Sequence, residues 1–154
     1  MPIRNREILL VDDNPSDVEL TIHALQHDQP GPFIHVAEDG KEALDYIFCR
    51  GNHQGRKLSD RPNVVLLDLK MPRMDGFQVL KTIREDPRSW AIPVVILTSS
   101  KEPQDLIQGY KLGASAFVQK PVDFDDFRRI IREIGAFWLY DNEPPRPEAF
   151  TDCS

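Results

Sequence analysis

Apolar residues in this chain gather in five short runs, each closed by a polar residue or a turn: Glu7–Val11, Phe33–Ala37, Val64–Leu67, Val94–Leu97 and Ala116–Gln119. Runs of this length, nearly continuous in Val, Ile and Leu, predict strands buried on both faces, as in a parallel sheet. Between them the spacing becomes helical. Asn14-Pro15 caps and opens a helix striped by Val18, Ile22 and Leu25, and Gln29-Pro30-Gly31-Pro32 ends it. Asp39-Gly40 leads into a second helix carrying Ala43, Leu44, Ile47 and Phe48, and Phe77, Val79, Leu80 and Ile83 mark a third that stops before Pro87. A fourth helix is predicted from Pro103 to Leu112 with Gly113 as its stop, and a fifth from about Asp123 to Tyr140. The polar stretch Gly51–Pro62 reads as a long surface loop. Five strand–helix alternations without internal repeats predict an α/β fold, with a parallel sheet covered by helices on both faces.

The last helix carries more apolar surface than one sheet needs. On a helical wheel Ile131, Ile134 and Trp138 fall within about 40° of Phe127, and Phe124, Ile130 and Phe137 widen the arc to roughly 140°. Such excess predicts a protein interface, here a homodimer through the fourth helix, fifth strand and fifth helix. Gly109 inside the fourth helix costs about 1 kcal/mol relative to Ala, which predicts a helix that is easy to move.

Composition narrows the class. The chain has 154 residues, 40% hydrophobic and 29% charged, which suits one globular domain of ordinary core size. A net charge of −6 argues against non-specific nucleic-acid binding and against an anionic membrane surface. No apolar run approaches a membrane span, no signal-peptide core follows the N-terminus, and Cys49 and Cys153 form no disulfide framework. A cytoplasmic protein is expected. The organisation expected is a domain over residues 5–140 and a Pro-rich tail over 141–154, too short for a further output domain.

The chemistry lies where the strands end. Strand one finishes in Asp12-Asp13, strand three in Asp68, strand four in Thr98 and strand five in Lys120. Right-handed crossovers send all strand ends to one edge, so these groups are forced together. Clustered carboxylates repel unless a cation neutralises them, and a small hard ion with oxygen ligands, Mg²⁺, does this beside phosphates. An ammonium and a hydroxyl remain to meet phosphoryl oxygens. This set suits attack of a carboxylate on phosphorus, with Asp68 as nucleophile, Asp12 and Asp13 holding metal, and Lys120 and Thr98 stabilising the transferred group.

Asp12-Asp13, Asp68 with Met71-Pro72-Arg73-Met74-Asp75-Gly76, Thr98, and Phe117-Val118-Gln119-Lys120-Pro121 resemble the receiver domain of two-component response regulators. The resemblance implies a flavodoxin-like (βα)5 three-layer sandwich with strand order 2-1-3-4-5. It implies that Asp68 accepts a phosphoryl group from a histidine kinase, with Mg²⁺ at Asp13, Asp68 and the Lys70 backbone carbonyl and with Asp12 acting largely through water. Thr98 and Phe117 would form the switch, while Lys70 and Ser100 would tune hydrolysis of the phosphoryl group. Such a protein is a phosphoacceptor that assists its own phosphorylation and dephosphorylation, not an enzyme acting on other substrates. Val11–Val18, the long loop before strand three and Ala136-Phe137-Trp138-Leu139 resemble small single-domain regulators that partner bacterial phytochromes. A phytochrome-type kinase is therefore the expected partner, with output through protein contacts.

Other readings are weaker. A haloacid dehalogenase-type phosphatase needs its nucleophile on the first strand as Asp-x-Asp, whereas Asp68-Leu69-Lys70 lacks the second Asp. A flavin-binding flavodoxin would need a phosphate-cradling loop where Asp12-Asp13 stand. A phosphorylation-independent scaffold would not need the full set of site residues. His23 and His27 are spaced i, i+4, which zinc can use, but no Cys or acidic partner completes the set.

Overall fold

The computed structural model describes residues 6–27, 31–56, 61–71 and 74–145. Five strands, β1 (Glu7–Val11), β2 (Phe33–Ala37), β3 (Val64–Leu67), β4 (Val94–Thr98) and β5 (Ala116–Gln119), form one parallel sheet in the order β2-β1-β3-β4-β5. They alternate with α1 (Pro15–Leu25), α2 (Gly40–Ile47), α3 (Gly76–Glu85), α4 (Pro103–Lys111) and α5 (Phe124–Ala136). This is the expected flavodoxin-like (βα)5 arrangement.

Strand alternation sorts the core into two layers. Leu9, Val11, Val65, Leu67, Val94 and Ile96 point to one face and pack with Leu44, Ile47, Val79, Leu80 and Ile83 of α2 and α3. Ile8, Leu10, Val64, Leu66, Val95 and Leu97 point to the other and meet Ala24 and Leu25 of α1 and Phe127, Ile131 and Ile134 of α5. All of these side chains are buried. The runs of the central strands β3 and β4, and of β1 after Glu7, are apolar because both of their faces are covered, whereas the edge strands β2 and β5 are only partly buried.

Several elements differ in detail from the sequence reading. On α1 the fully buried positions are Thr21, Ala24 and Leu25, with Val18 and Ile22 half-buried. The predicted loop over 51–62 contains a 3-10 turn at Gly51–His53. The fifth helix does not run as α-helix to Tyr140. It passes at Phe137 into a π-helical turn over Phe137–Asp141, where Asn142 N–H donates to the Phe137 carbonyl. The wider turn changes the helical phase, so Leu139 is buried and Trp138 only packs against the core edge. Phe124 and Phe137 stay exposed at 64% and 48%. The expected tail lies largely outside the described residues, as do Pro72 and Arg73. No helix among the described residues is long and apolar enough to cross a membrane.

Gly109 has a different physical reason from the one its helix position predicts. It is the one buried residue of α4, and a Cβ there would stand 2.8 Å from Ile96 Cδ1 and 3.1 Å from Phe117 Cδ2. The missing side chain lets α4 lie against β4 and the Phe117 ring, so this glycine is a packing residue and not simply a weak point in the helix.

Candidate functional site

The parallel ladder continues past the strand ends and sets the site. Asp68 N–H donates to the Val11 carbonyl at 2.9 Å, Asp12 N–H to Ala37 at 3.0 Å and Lys120 N–H to Thr98 at 2.7 Å. These bonds hold the exits of β1, β2 and β3, and those of β4 and β5, in register at one edge of the sheet. Asp12, Asp68 and Thr98 are nearly fully buried there, whereas Asp13 is exposed. The carboxylates of Asp12, Asp13 and Asp68 offer oxygens that lie within 4.8 Å of one another.

Lys120 crosses from β5 into this cluster. Its Nζ donates to Asp12 Oδ2 at 2.8 Å, to Asp17 Oδ2 at 2.8 Å and to Asp68 Oδ2 at 3.3 Å. Burial alone would lower the ammonium pKa, but hydrogen bonds to Asp12 and Asp17 and the charges of Asp12 and Asp68 outweigh it and hold Lys120 above the ordinary lysine value. Burial raises the Asp12 carboxyl above its usual range; the Lys120 and Asn14 hydrogen bonds oppose this, and the Asp68 charge adds to it. The repulsion among carboxylates anticipated from the sequence is thus met in part by a cation of the chain itself.

Asp17 is the site residue that the sequence reading passed over. It sits in the first turn of α1, where Asn14 caps the helix by accepting from Ser16 N–H and Asp17 N–H. An acid in a first turn reads as a helix-dipole residue, and that explanation hides its contact with Lys120, 103 positions away.

The loop after β3 owes its path to Gly76. A Cβ at that position would stand 2.4 Å from the Asp68 carbonyl oxygen and 2.8 Å from Leu69 Cα. The backbones therefore approach as only glycine permits, and Gly76 N–H closes the turn on the Leu69 carbonyl at 2.9 Å. Asp75 then starts α3 with a capping box shared with Gln78. On the other side, Thr98 Oγ1 accepts from Ser100 N–H at 3.2 Å, and Ser100 Oγ donates to Asp105 Oδ2 at 2.5 Å. The Thr98 loop is thereby tied to the start of α4. Phe117 is half-buried on β5 beside Gly109. In front lies an open cleft of about 660 Å³ lined by Asp13, Lys70, Met71, Asp75, Phe77 and Asp105.

Three carboxylates so close, with Lys70 lining the same cleft, form an oxygen donor set that fits a hard divalent ion.

Residues 8–132 match the response regulator receiver domain family. The chain is 39% identical over 140 residues to the probable methanogenesis regulatory protein FilR2 of Methanothrix harundinacea, covering 91% of this chain and 88% of that one. It is 33% identical over 132 residues to response regulator Rcp1 of Synechocystis sp., covering 86% and 88%. The Mn²⁺-bound structure of Rcp1 superposes with a TM-score of 0.84 over 92% of this chain and 99% of that one, at 32% identity. The bacteriophytochrome response regulator AtBRR is 49% identical, with a TM-score of 0.72 over 92% of this chain and 100% of that one. The chain belongs to the response regulator receiver domain family, signalling proteins of two-component systems, and stands close to its phytochrome-associated members.

Proposed function

We propose that this protein is a cytoplasmic response regulator that takes a phosphoryl group on Asp68 from the phosphohistidine of a phytochrome-type sensor kinase. The observation that carries this reading is the meeting of buried Asp68 and Asp12 with the Lys120 ammonium at the carboxyl edge of the sheet. The 49% identity to a bacteriophytochrome response regulator supports the kinase type.

An Asp68 carboxylate oxygen attacks phosphorus as the P–N bond to the kinase imidazole breaks. The bonding pair stays on the imidazole nitrogen, which takes up a proton, and an acyl phosphate is left on Asp68. Mg²⁺, held by Asp12, Asp13, Asp68 and the Lys70 carbonyl, would neutralise charge on the transferred oxygens. Lys120 leaves its ion pair with the Asp68 carboxylate and meets a phosphoryl oxygen, while Asp12 and Asp17 keep it beside the site. The Thr98 hydroxyl turns from Ser100 N–H toward the phosphoryl group. Ser100 and Asp105 then carry that displacement to α4, and the Phe117 ring fills the space that Thr98 leaves.

The output is protein contact. Leu106, Ile107, Tyr110, Phe124 and Phe137 leave apolar surface exposed on α4 and at the two ends of α5, at 42–64% each. This supports a homodimer through the α4–β5–α5 face.

Incubation with Mg²⁺ and acetyl phosphate should add one phosphoryl mass to the parent protein and none to Asp68→Asn. A parent protein that takes no phosphoryl group under these conditions would instead indicate a scaffold of the same fold.

A further inference from the structure

A second group of metal-ligating side chains lies away from the acidic cleft, where β2, α2 and the Gly51–His53 turn come together. His35 on β2, Glu42 in the first turn of α2 and His53 offer ligand atoms within 4.8 Å of one another. His35 Nε2 is buried without a hydrogen-bond partner and stands 3.7 Å from Glu42 Oε1, too far for a hydrogen bond. A buried imidazole nitrogen left this way needs an explanation. The other Glu42 oxygen, Oε2, accepts from Glu38 N–H at 3.1 Å, which fixes the carboxylate and leaves Oε1 for the histidine side.

The rings are held rigidly. His35 stacks on Tyr46 with centroids 4.0 Å apart and planes 7° from parallel, and His53 meets both rings edge-on at 5.0 and 5.1 Å. Tyr46 is clamped in turn, with its hydroxyl donating to Glu7 and the Arg56 guanidinium 3.5 Å from its ring centroid.

We propose that His35, Glu42 and His53 form a binding site for a borderline divalent cation of the zinc class, with water in the remaining position. Two imidazoles and one carboxylate are a zinc donor set, whereas Mg²⁺ prefers oxygen alone. Metal–ligand bonds of about 2.0–2.2 Å require ligand atoms about 3.4 Å apart in a tetrahedron. The His35–Glu42 edge is already 3.7 Å, and a His53 ring nitrogen lies within 4.8 Å of both partners. Burial holds the His35 imidazole below its ordinary pKa; the His53 and Arg56 charges act the same way, and Glu42 opposes them. Arg56 works against a cation, but its Nη2 lies 3.6 Å from Glu7 Oε1, which offsets that charge. Of the His23 and His27 pair flagged by its spacing, His23 lies exposed on α1 and His27 exposed just past its end, and no third ligand joins them among the described residues.

The test is a calorimetric titration of the full chain with zinc chloride, with Mg²⁺ in excess to occupy the acidic site, and a Co²⁺ absorption spectrum as a geometric readout. The parent protein should bind one equivalent of zinc and give tetrahedral Co²⁺ bands. His35→Gln and His53→Gln should each weaken zinc by about 10–100-fold or more and lose those bands, while His23→Gln/His27→Gln should leave both unchanged. His53→Gln without zinc should still accept phosphoryl from acetyl phosphate, which separates loss of this site from misfolding. The proposal is overturned if the parent protein does not bind zinc, if His53→Gln binds it as tightly, or if binding is lost only in the His23/His27 variant.

Discussion

At the scale of single residues, charge and close approach explain the acidic site, and each yields a prediction. Lys120 is shared among Asp12, Asp17 and Asp68. In Asp17→Asn, Lys120 loses one partner and places its charge on Asp12 and Asp68, where it competes with a divalent ion. Magnesium affinity should fall by about 2–5-fold, an effect on the scale of a partly exposed ion pair of about 0.5–1 kcal/mol. Calorimetry on both proteins measures it, and an unchanged or tighter affinity would show that Asp17 does not govern Lys120. Gly76 acts by geometry. Gly76→Ala forces a Cβ onto the Asp68 carbonyl, so the loop has to shift. We expect a loss of about 2–3 kcal/mol in urea unfolding and slower phosphorylation, because the displaced backbone carries both Asp68 and Lys70.

At the scale of elements, α4 stands apart. Gly109 is its one buried residue, whereas α3 and α5 each bury four. Few apolar contacts hold α4, and low local stability of this kind suits an element that moves. The glycine itself serves packing, and this reverses a simple expectation. Replacing a mid-helix glycine by alanine ordinarily gains about 1 kcal/mol. Here the new methyl meets Ile96 and Phe117, so Gly109→Ala should lower stability by about 1–2 kcal/mol. A rise in the urea midpoint would show that α4 yields freely. The same element joins the Thr98 loop through the Ser100–Asp105 hydrogen bond, which links site and surface across a short path.

At the scale of the whole molecule, the sheet sets the acidic cleft apart from the exposed apolar surface. The acidic cleft lies at the carboxyl edge, the apolar α4–β5–α5 surface on one flank, and the His35–Glu42–His53 cluster at the edge strand β2 on the other. Sedimentation of the parent protein should show dimers, strengthened by a phosphoryl analogue, and Ile107→Asp should shift them to monomers. A strict monomer in both states would remove the proposed interface. The two flanks are three strands apart, since β1, β3 and β4 lie between β2 and β5.

The architecture was legible in the sequence because backbone rules act locally. Runs that are apolar on both faces become parallel strands, caps start helices, and right-handed crossovers gather Asp12, Asp13, Asp68, Thr98 and Lys120 at one edge whatever their separation along the chain. What only the tertiary structure decided depends on distances between side chains from different elements. Asp17 reaches Lys120 through the angle of α1, and Gly109 is required by the Phe117 ring. Leu139 is buried in place of Trp138 because a π-turn changes the helical phase. His35 meets Glu42 and His53 because β2 lies next to the start of α2 and to a turn that the sequence marked only as loop. A helical period or a strand alternation names the face a residue occupies; which residue of another element stands opposite it follows from packing in three dimensions.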